Sequence, residues 1–154
     1  MKTIRKLILT SITLLATAVA FAAKPIPGPK GGRILTTEAP HAEFFVEANR
    51  TVTVTFYDKD LKPVAPGEQL LSAVAEAKTG KVKFEFDKTA TGFVSKQPLP
   101  EGDDYTVVVQ IRDAVGAKPK NHRVLFHDEV CGECKRAEYA CTCDGAGDEG
   151  AHKH

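Results

Sequence analysis

The chain has 154 residues, with 21 Lys and Arg against 20 Asp and Glu and a formal net charge of +1. That balance leaves no basic stripe of the kind nucleic-acid binders carry, and the length suffices for one domain with a core of its own plus a tail. No glycine-rich phosphate loop occurs, Ser72 and Ser95 have no His and Asp pattern suggesting a triad, and Asp58 and Asp60 fall far short of a calcium loop, so the sequence predicts a protein that is not an enzyme.

Residues 1–22 have the make-up of an export signal. Lys2, Arg5 and Lys6 precede an apolar run from Leu7 to Ala20, and Ala20-Phe21-Ala22 supplies small residues where a signal peptidase reads them. The run is short for a membrane span, and no cysteine stands at the expected cleavage point after Ala22 to take a lipid. The expectation is a protein exported to the periplasm or the extracellular space, with no membrane span after the signal is removed. Its removal takes three of the 21 basic residues and no acid, leaving 18 against 20. Residues 23–32 follow as a Pro- and Gly-rich leader, expected to be extended and without regular structure.

From Arg33 to His127 the pattern is that of strands. Thr51 to Tyr57 alternates Val52, Val54 and Phe56 with three threonines; Lys81 to Phe86 alternates in the same way. Tyr105 to Arg112 is denser in Val and Ile, as a central strand is. Arg33 to Thr37, Ala42 to Glu47 and Asn121 to Phe126 complete the set. Turn-forming clusters separate them, at Asp58 to Asp60, Pro63 to Gly67, Thr79-Gly80 and Pro98 to Asp104. Gln69 to Lys78 is ambiguous. Leu70, Leu71, Val74 and Ala75 fit a helical stripe, yet a strand there completes a sheet, and a strand is the reading adopted. The predicted fold is all-β: a single Ig-like antiparallel β-sandwich over residues 33–127. Its core is expected to include Phe44, Val46, Val52, Val54, Phe56, Phe84, Phe86, Val107, Val109 and Ile111.

Beyond His127 the composition changes. Residues 128–144 hold every cysteine of the chain, Cys131, Cys134, Cys141 and Cys143, in the spacing C-x2-C-x6-C-x-C. Residues 145–154 are a polar string with too little apolar surface to order itself. Four thiols so closely spaced can converge on one ion. Four thiolates suit Zn²⁺ at about 2.3 Å, and soft sulfur also suits Cu(I). Two other outcomes are open: a pair of disulfides that staple the tail, as an oxidising compartment favours, or a thiol–disulfide carrier acting through Cys131-Gly-Glu-Cys134. Lys135 to Ala140 is expected to form a short helical link. Because the tail is poor in apolar residues, cutting the chain after Asp128 is expected to leave the sandwich folded.

Histidines offer further ligands. His127 stands four residues before Cys131 and is a candidate to reach the cluster. His41 falls in register with Glu43 and Glu47 on one side of a strand, a set that can bind Zn²⁺ or Cu²⁺ or simply form a polar face. His122 alternates with Val124 and Phe126 and is expected to be partly buried. His152 and His154 near the end can capture metal as His-rich tips do. The one methionine, Met1, leaves with the signal, which excludes thioether ligands from the exported chain.

Three stretches carry a resemblance. Gly28-Pro-Lys-Gly-Gly-Arg-Ile-Leu35 followed by Pro40-His-Ala-Glu-Phe-Phe-Val46, the run Val54-Thr-Phe-Tyr-Asp-Lys-Asp-Leu-Lys-Pro-Val64, and Leu99-Pro-Glu-Gly-Asp-Asp-Tyr105 resemble segments of small exported Ig-like domains found alone or fused to periplasmic adaptor subunits of heavy-metal efflux pumps. Leu61 stands where those domains have a turn glycine. The resemblance spans residues 28 to 112. It implies a sandwich fold, an exported location, and a periplasmic adaptor or other efflux component as partner. Joined to the thiolate argument, it suggests a metal-binding accessory protein.

Overall fold

The computed structural model describes residues 26–143, so the export signal, part of the leader and the polar end with His152 and His154 lie outside the described residues. Ten strands make up the body: β1 (Arg33–Ile34), β2 (His41–Val46), β3 (Thr51–Tyr57), β4 (Pro63–Val64), β5 (Leu70–Ala77), β6 (Gly80–Phe84), β7 (Phe86–Lys88), β8 (Gly92–Pro98), β9 (Tyr105–Arg112) and β10 (Lys120–Phe126). They form two antiparallel sheets. One has the order β1-β2-β3-β8-β7 with β4 also on β3, and the other is β10-β9-β5-β6. Named by role, β2-β3-β8-β7 is the A-B-E-D sheet of an Ig-like sandwich and β10-β9-β5-β6 is its G-F-C sheet with a C′ strand added. No helix among the described residues is long and apolar enough to cross a membrane.

Alternation places one face of each sheet in the core. Ala42 and Phe44 from β2, with Val52, Val54 and Phe56 from β3, meet Ala73 and Ala75 from β5, Val107, Val109 and Ile111 from β9, and Val124 and Phe126 from β10. Of the ten residues expected in the core, eight are fully buried; Val46 and Phe86 are partly buried and pack against it. The ambiguous stretch is a strand. Between β9 and β6, Ala73 stands opposite Val109 and Phe84, and Ala75 opposite Val107 and Val82, so the backbone is paired on both sides. Helix propensity yields there to two ladders of hydrogen bonds and to burial.

Tyr105, the first residue of β9, closes the end of the sandwich. Its hydroxyl donates to the Pro100 carbonyl at 2.9 Å, the tyrosine corner of Ig-like folds. Arg50 reinforces the same end. Its guanidinium donates to the carbonyls of Pro100 and Gly102 at 2.6 and 2.9 Å and to Asp128 at 3.2 Å, and it lies 5.3 Å from the centre of the Phe126 ring.

Three expectations change. Lys81 to Phe86 is two strands rather than one. After Phe84 the chain crosses at Glu85 from one sheet to the other, so β6 pairs with β5 and β7 with β8. β8 itself falls in a stretch from which the sequence predicts no strand. Its alternation is broken by a bulge opposite Thr51 to Thr53, where buried Ser95 accepts the Val52 amide at 2.9 Å and donates to the Gln97 carbonyl at 2.7 Å. The leader is folded back rather than extended. The amides of Lys30 and Gly32 donate to the Glu43 carboxylate at 3.0 and 2.7 Å, and the Tyr57 hydroxyl donates to it at 2.7 Å. Glu43 is thereby fully buried without an orphaned oxygen. A Cβ on Gly28 would stand 2.1 Å from Glu43 Oε1, so glycine is required for this close approach.

Candidate metal centre

The knuckle begins as a hairpin running off β10. The His127 carbonyl accepts the Tyr139 amide at 3.0 Å, Glu129 accepts Glu138 at 2.8 Å, and the Cys131 amide donates to Arg136 at 2.7 Å. The tip turns through Cys131 to Arg136, with the Lys135 amide donating to the Cys131 carbonyl at 3.1 Å and Lys135 itself at φ 59°. This presents Cys131 and Cys134 on one loop. A single 3-10 turn, Glu138–Ala140, then reverses the chain and returns Cys141 and Cys143 to the same place. The helical link expected between Lys135 and Ala140 is thus shorter than the sequence suggested.

Three sulfur–sulfur separations define the cluster: Cys131 to Cys141 at 3.5 Å, Cys134 to Cys141 at 3.7 Å and Cys131 to Cys143 at 3.8 Å. All four Sγ atoms lie within 4.8 Å of one another, and all four thiols are free. A disulfide needs about 2.05 Å. A tetrahedron with four bonds of about 2.3 Å has edges of about 3.8 Å. The donor set therefore fits one tetrahedral ion with little movement. Cys131 and Cys141 are buried, whereas Cys134 and Cys143 are half-buried.

Backbone amides also point at the sulfurs. Burial opposes ionisation of Cys134, but hydrogen bonds from the Arg136 and Thr142 amides and contacts with the Cys131 and Cys141 thiols outweigh it and bring its pKa down to about 7. Cys141 is shifted upward, chiefly by burial and despite the Cys143 amide. Cys143 is pushed well up by the neighbouring Cys141 thiol first and by Glu133 next. Without a cation, negative charge concentrates on Cys134 and its neighbours resist ionising beside it. A divalent cation at the centre relieves that repulsion.

The knuckle is seated on the sandwich by Tyr139. Its ring packs edge-on against Phe44 at 5.8 Å and stacks on Phe126 at 5.7 Å, and its hydroxyl accepts the Val46 amide at 3.0 Å. Tyr139 and Ala140 belong to the hydrophobic core. This corrects the view of the tail as dispensable: cutting after Asp128 would expose the outer faces of Phe44 and Phe126. The signal in the sequence was the single large aromatic between Cys134 and Cys141, outweighed there by its polar surroundings.

The histidines are placed elsewhere. The His127 ring faces Asp103 at 3.4 Å and Asp104 at 3.8 Å, and the four-sulfur group does not include it. His41 begins β2, at the opposite end of that strand from the Tyr139 contact, and its Nδ1 lies 3.2 Å from the Thr36 carbonyl. The strand carries His41 and Glu43 in alternating register with Glu47 just past its end, but the Glu43 carboxylate is taken up by the leader and Tyr57. His122 is partly buried as expected, and burial lowers its pKa. Compared with known proteins, the chain matches no family model, no curated protein and no solved structure.

Proposed function

We propose that the protein is an exported metal-binding accessory factor of heavy-metal homeostasis, a binding protein rather than an enzyme, in which Cys131, Cys134, Cys141 and Cys143 hold one Zn²⁺ as four thiolates. The observation that carries the metal reading is the set of sulfur separations between 3.5 and 3.8 Å, too long for disulfides and matched to a tetrahedron. A four-sulfur tetrahedral set favours Zn²⁺ over Cu(I). When bound, the ion supplies a charge that holds four thiolates together. The chain does the rest: the hairpin tip and the 3-10 turn orient the sulfurs, amides of Arg136, Thr142 and Cys143 stabilise their negative charge, and Tyr139 fixes the knuckle on the core.

Export is supported by the signal-like residues 1–22, and association with an efflux adaptor by the resemblance over residues 28–112. Native mass spectrometry of protein recovered from the exporting compartment, with thiol alkylation and no reductant, tests the reading. One zinc and four protected cysteines are expected. A copper mass would replace the metal. A mass four hydrogens below the reduced value, with no metal, would make the knuckle a disulfide staple and overturn the proposal. Recovery of the chain from the cytoplasm alone, with residues 1–22 uncleaved, would overturn export.

A further inference from the structure

We propose that the cysteine knuckle is a peroxide-sensitive metal-release device, in which oxidation closes the cross-pairs Cys134–Cys141 and Cys131–Cys143 and ejects the ion. The inference rests on the metal reading above and adds how the site is emptied.

Burial and distance together select the pairs. Cys134 and Cys143 are half-buried, whereas Cys131 and Cys141 are buried. A hydroperoxide reaches the first two, and each has a buried sulfur close by: Cys141 lies 3.7 Å from Cys134 and Cys131 lies 3.8 Å from Cys143. Pairing Cys131 with Cys141, though these are 3.5 Å apart, would need attack on a covered sulfur. Pairing Cys131 with Cys134 would leave Cys141 and Cys143 to close across the single residue Thr142, a ring too small for relaxed disulfide geometry. Each cross-pair instead joins the hairpin tip to the segment that follows the 3-10 turn, and needs only a shortening from about 3.8 to about 2.05 Å.

The chemistry balances. The thiolate of Cys134 or Cys143 attacks the hydroperoxide, breaks its O–O bond and becomes a sulfenic acid, releasing an alcohol, or water from hydrogen peroxide. The partner thiolate attacks that sulfur, the S–S bond forms, and hydroxide leaves and is protonated. Each pair gives up two electrons to one hydroperoxide. Two hydroperoxides therefore consume all four thiolates, and no anionic sulfur remains to hold the cation.

The test uses the metal-loaded protein as purified. Zinc is first counted after acid release. Hydrogen peroxide is then titrated in while freed zinc is followed with a chromophoric chelator. Disulfides are mapped after cleavage at Glu133 and Lys135, which separates Cys131 from Cys134 and both from the later pair, and backbone fragmentation at Thr142 in tandem mass spectrometry then tells links to Cys141 from links to Cys143. One zinc released per two peroxides, cross-linked peptides pairing Cys134 with Cys141 and Cys131 with Cys143, and full recovery of zinc binding on reduction are expected. Zinc retained in tenfold peroxide excess, or links between Cys131 and Cys134, or irreversible sulfinic acids without disulfides, would overturn the device while leaving the metal site standing. Absence of zinc at the first count would overturn the metal reading itself, and the device with it.

Discussion

The sandwich and the knuckle are ordered by different physics. The sandwich buries valines, phenylalanines and alanines from two sheets against each other, and every inner strand has two neighbours, so its order is shared among many contacts. The knuckle has one 3-10 turn, three hairpin hydrogen bonds, four sulfurs and one buried aromatic. A segment this poor in apolar residues cannot hold itself. It must borrow order from the core through Tyr139 or from a cation through its thiolates. The difference teaches where coupling is to be sought: the proposed ion and the Tyr139 contact meet in one short segment, whereas most of the core comes from the two sheets.

Five substitutions or conditions test that contrast. The largest effect is expected from Phe56→Ala, a fully buried ring near the end of β3 that packs 6.1 Å from Phe93. It should cost about 3–5 kcal/mol in chemical denaturation, and by the same amount with or without a zinc chelator. Tyr139→Ala should cost about 3 kcal/mol with zinc present and less after chelation, because the chelated knuckle is already loosened; equal losses in the two conditions would show the anchors to be independent. Tyr139→Phe keeps the ring and loses only the bond from the Val46 amide, and should cost about 1 kcal/mol.

Acid should act on the sandwich through His122. Burial holds its pKa below the ordinary 6.5, assisted by the charge of Lys120 and opposed by the bond to Leu35. The unfolded chain therefore takes up the proton first, and stability that is full above pH 6.5 declines as pH falls below it. Melting temperatures between pH 7.5 and 5 should fall more steeply for the wild type than for His122→Gln. The smallest effect is expected at Leu61, which sits at φ 56° in the turn that Asp58 closes by accepting the Asp60 and Lys62 amides. Leu61→Gly should relieve about 1 kcal/mol of left-handed strain, offset in part by the greater freedom of glycine when unfolded, and raise the melting temperature slightly.

Most of the sandwich was legible because alternation survives wherever one face is buried. Val52, Val54 and Phe56 show it directly. β8 was not legible because the bulge around Ser95 shifts its register, and Gly92 and Pro98 at its ends read as turn residues. The crossing at Glu85 was hidden for the opposite reason: the apolar period continues unbroken through Phe84 and Phe86 although the strand changes sheets. The four cysteines were legible as a group from spacing alone. Their separations and burial were not, since these depend on the hairpin register and the 3-10 turn. Tyr139 was missed because the aromatic that seats it, Phe126, lies on the other side of the change in composition. His127 was expected near the sulfurs on sequence distance, but the direction in which the chain leaves β10 turns its ring to Asp103 instead.

The closure of the leader over Glu43 ties together positions 15 residues apart. Gly28 leaves room for the carboxylate, and the carboxylate in turn takes up the Lys30 and Gly32 amides that would otherwise be left without a partner. Neither residue can drift alone. A side chain at position 28 displaces Glu43, and loss of Glu43 strands two amides and the Tyr57 hydroxyl. Gly28 and Glu43 should therefore be inherited as a pair, retained together or replaced together among descendants of a common ancestor.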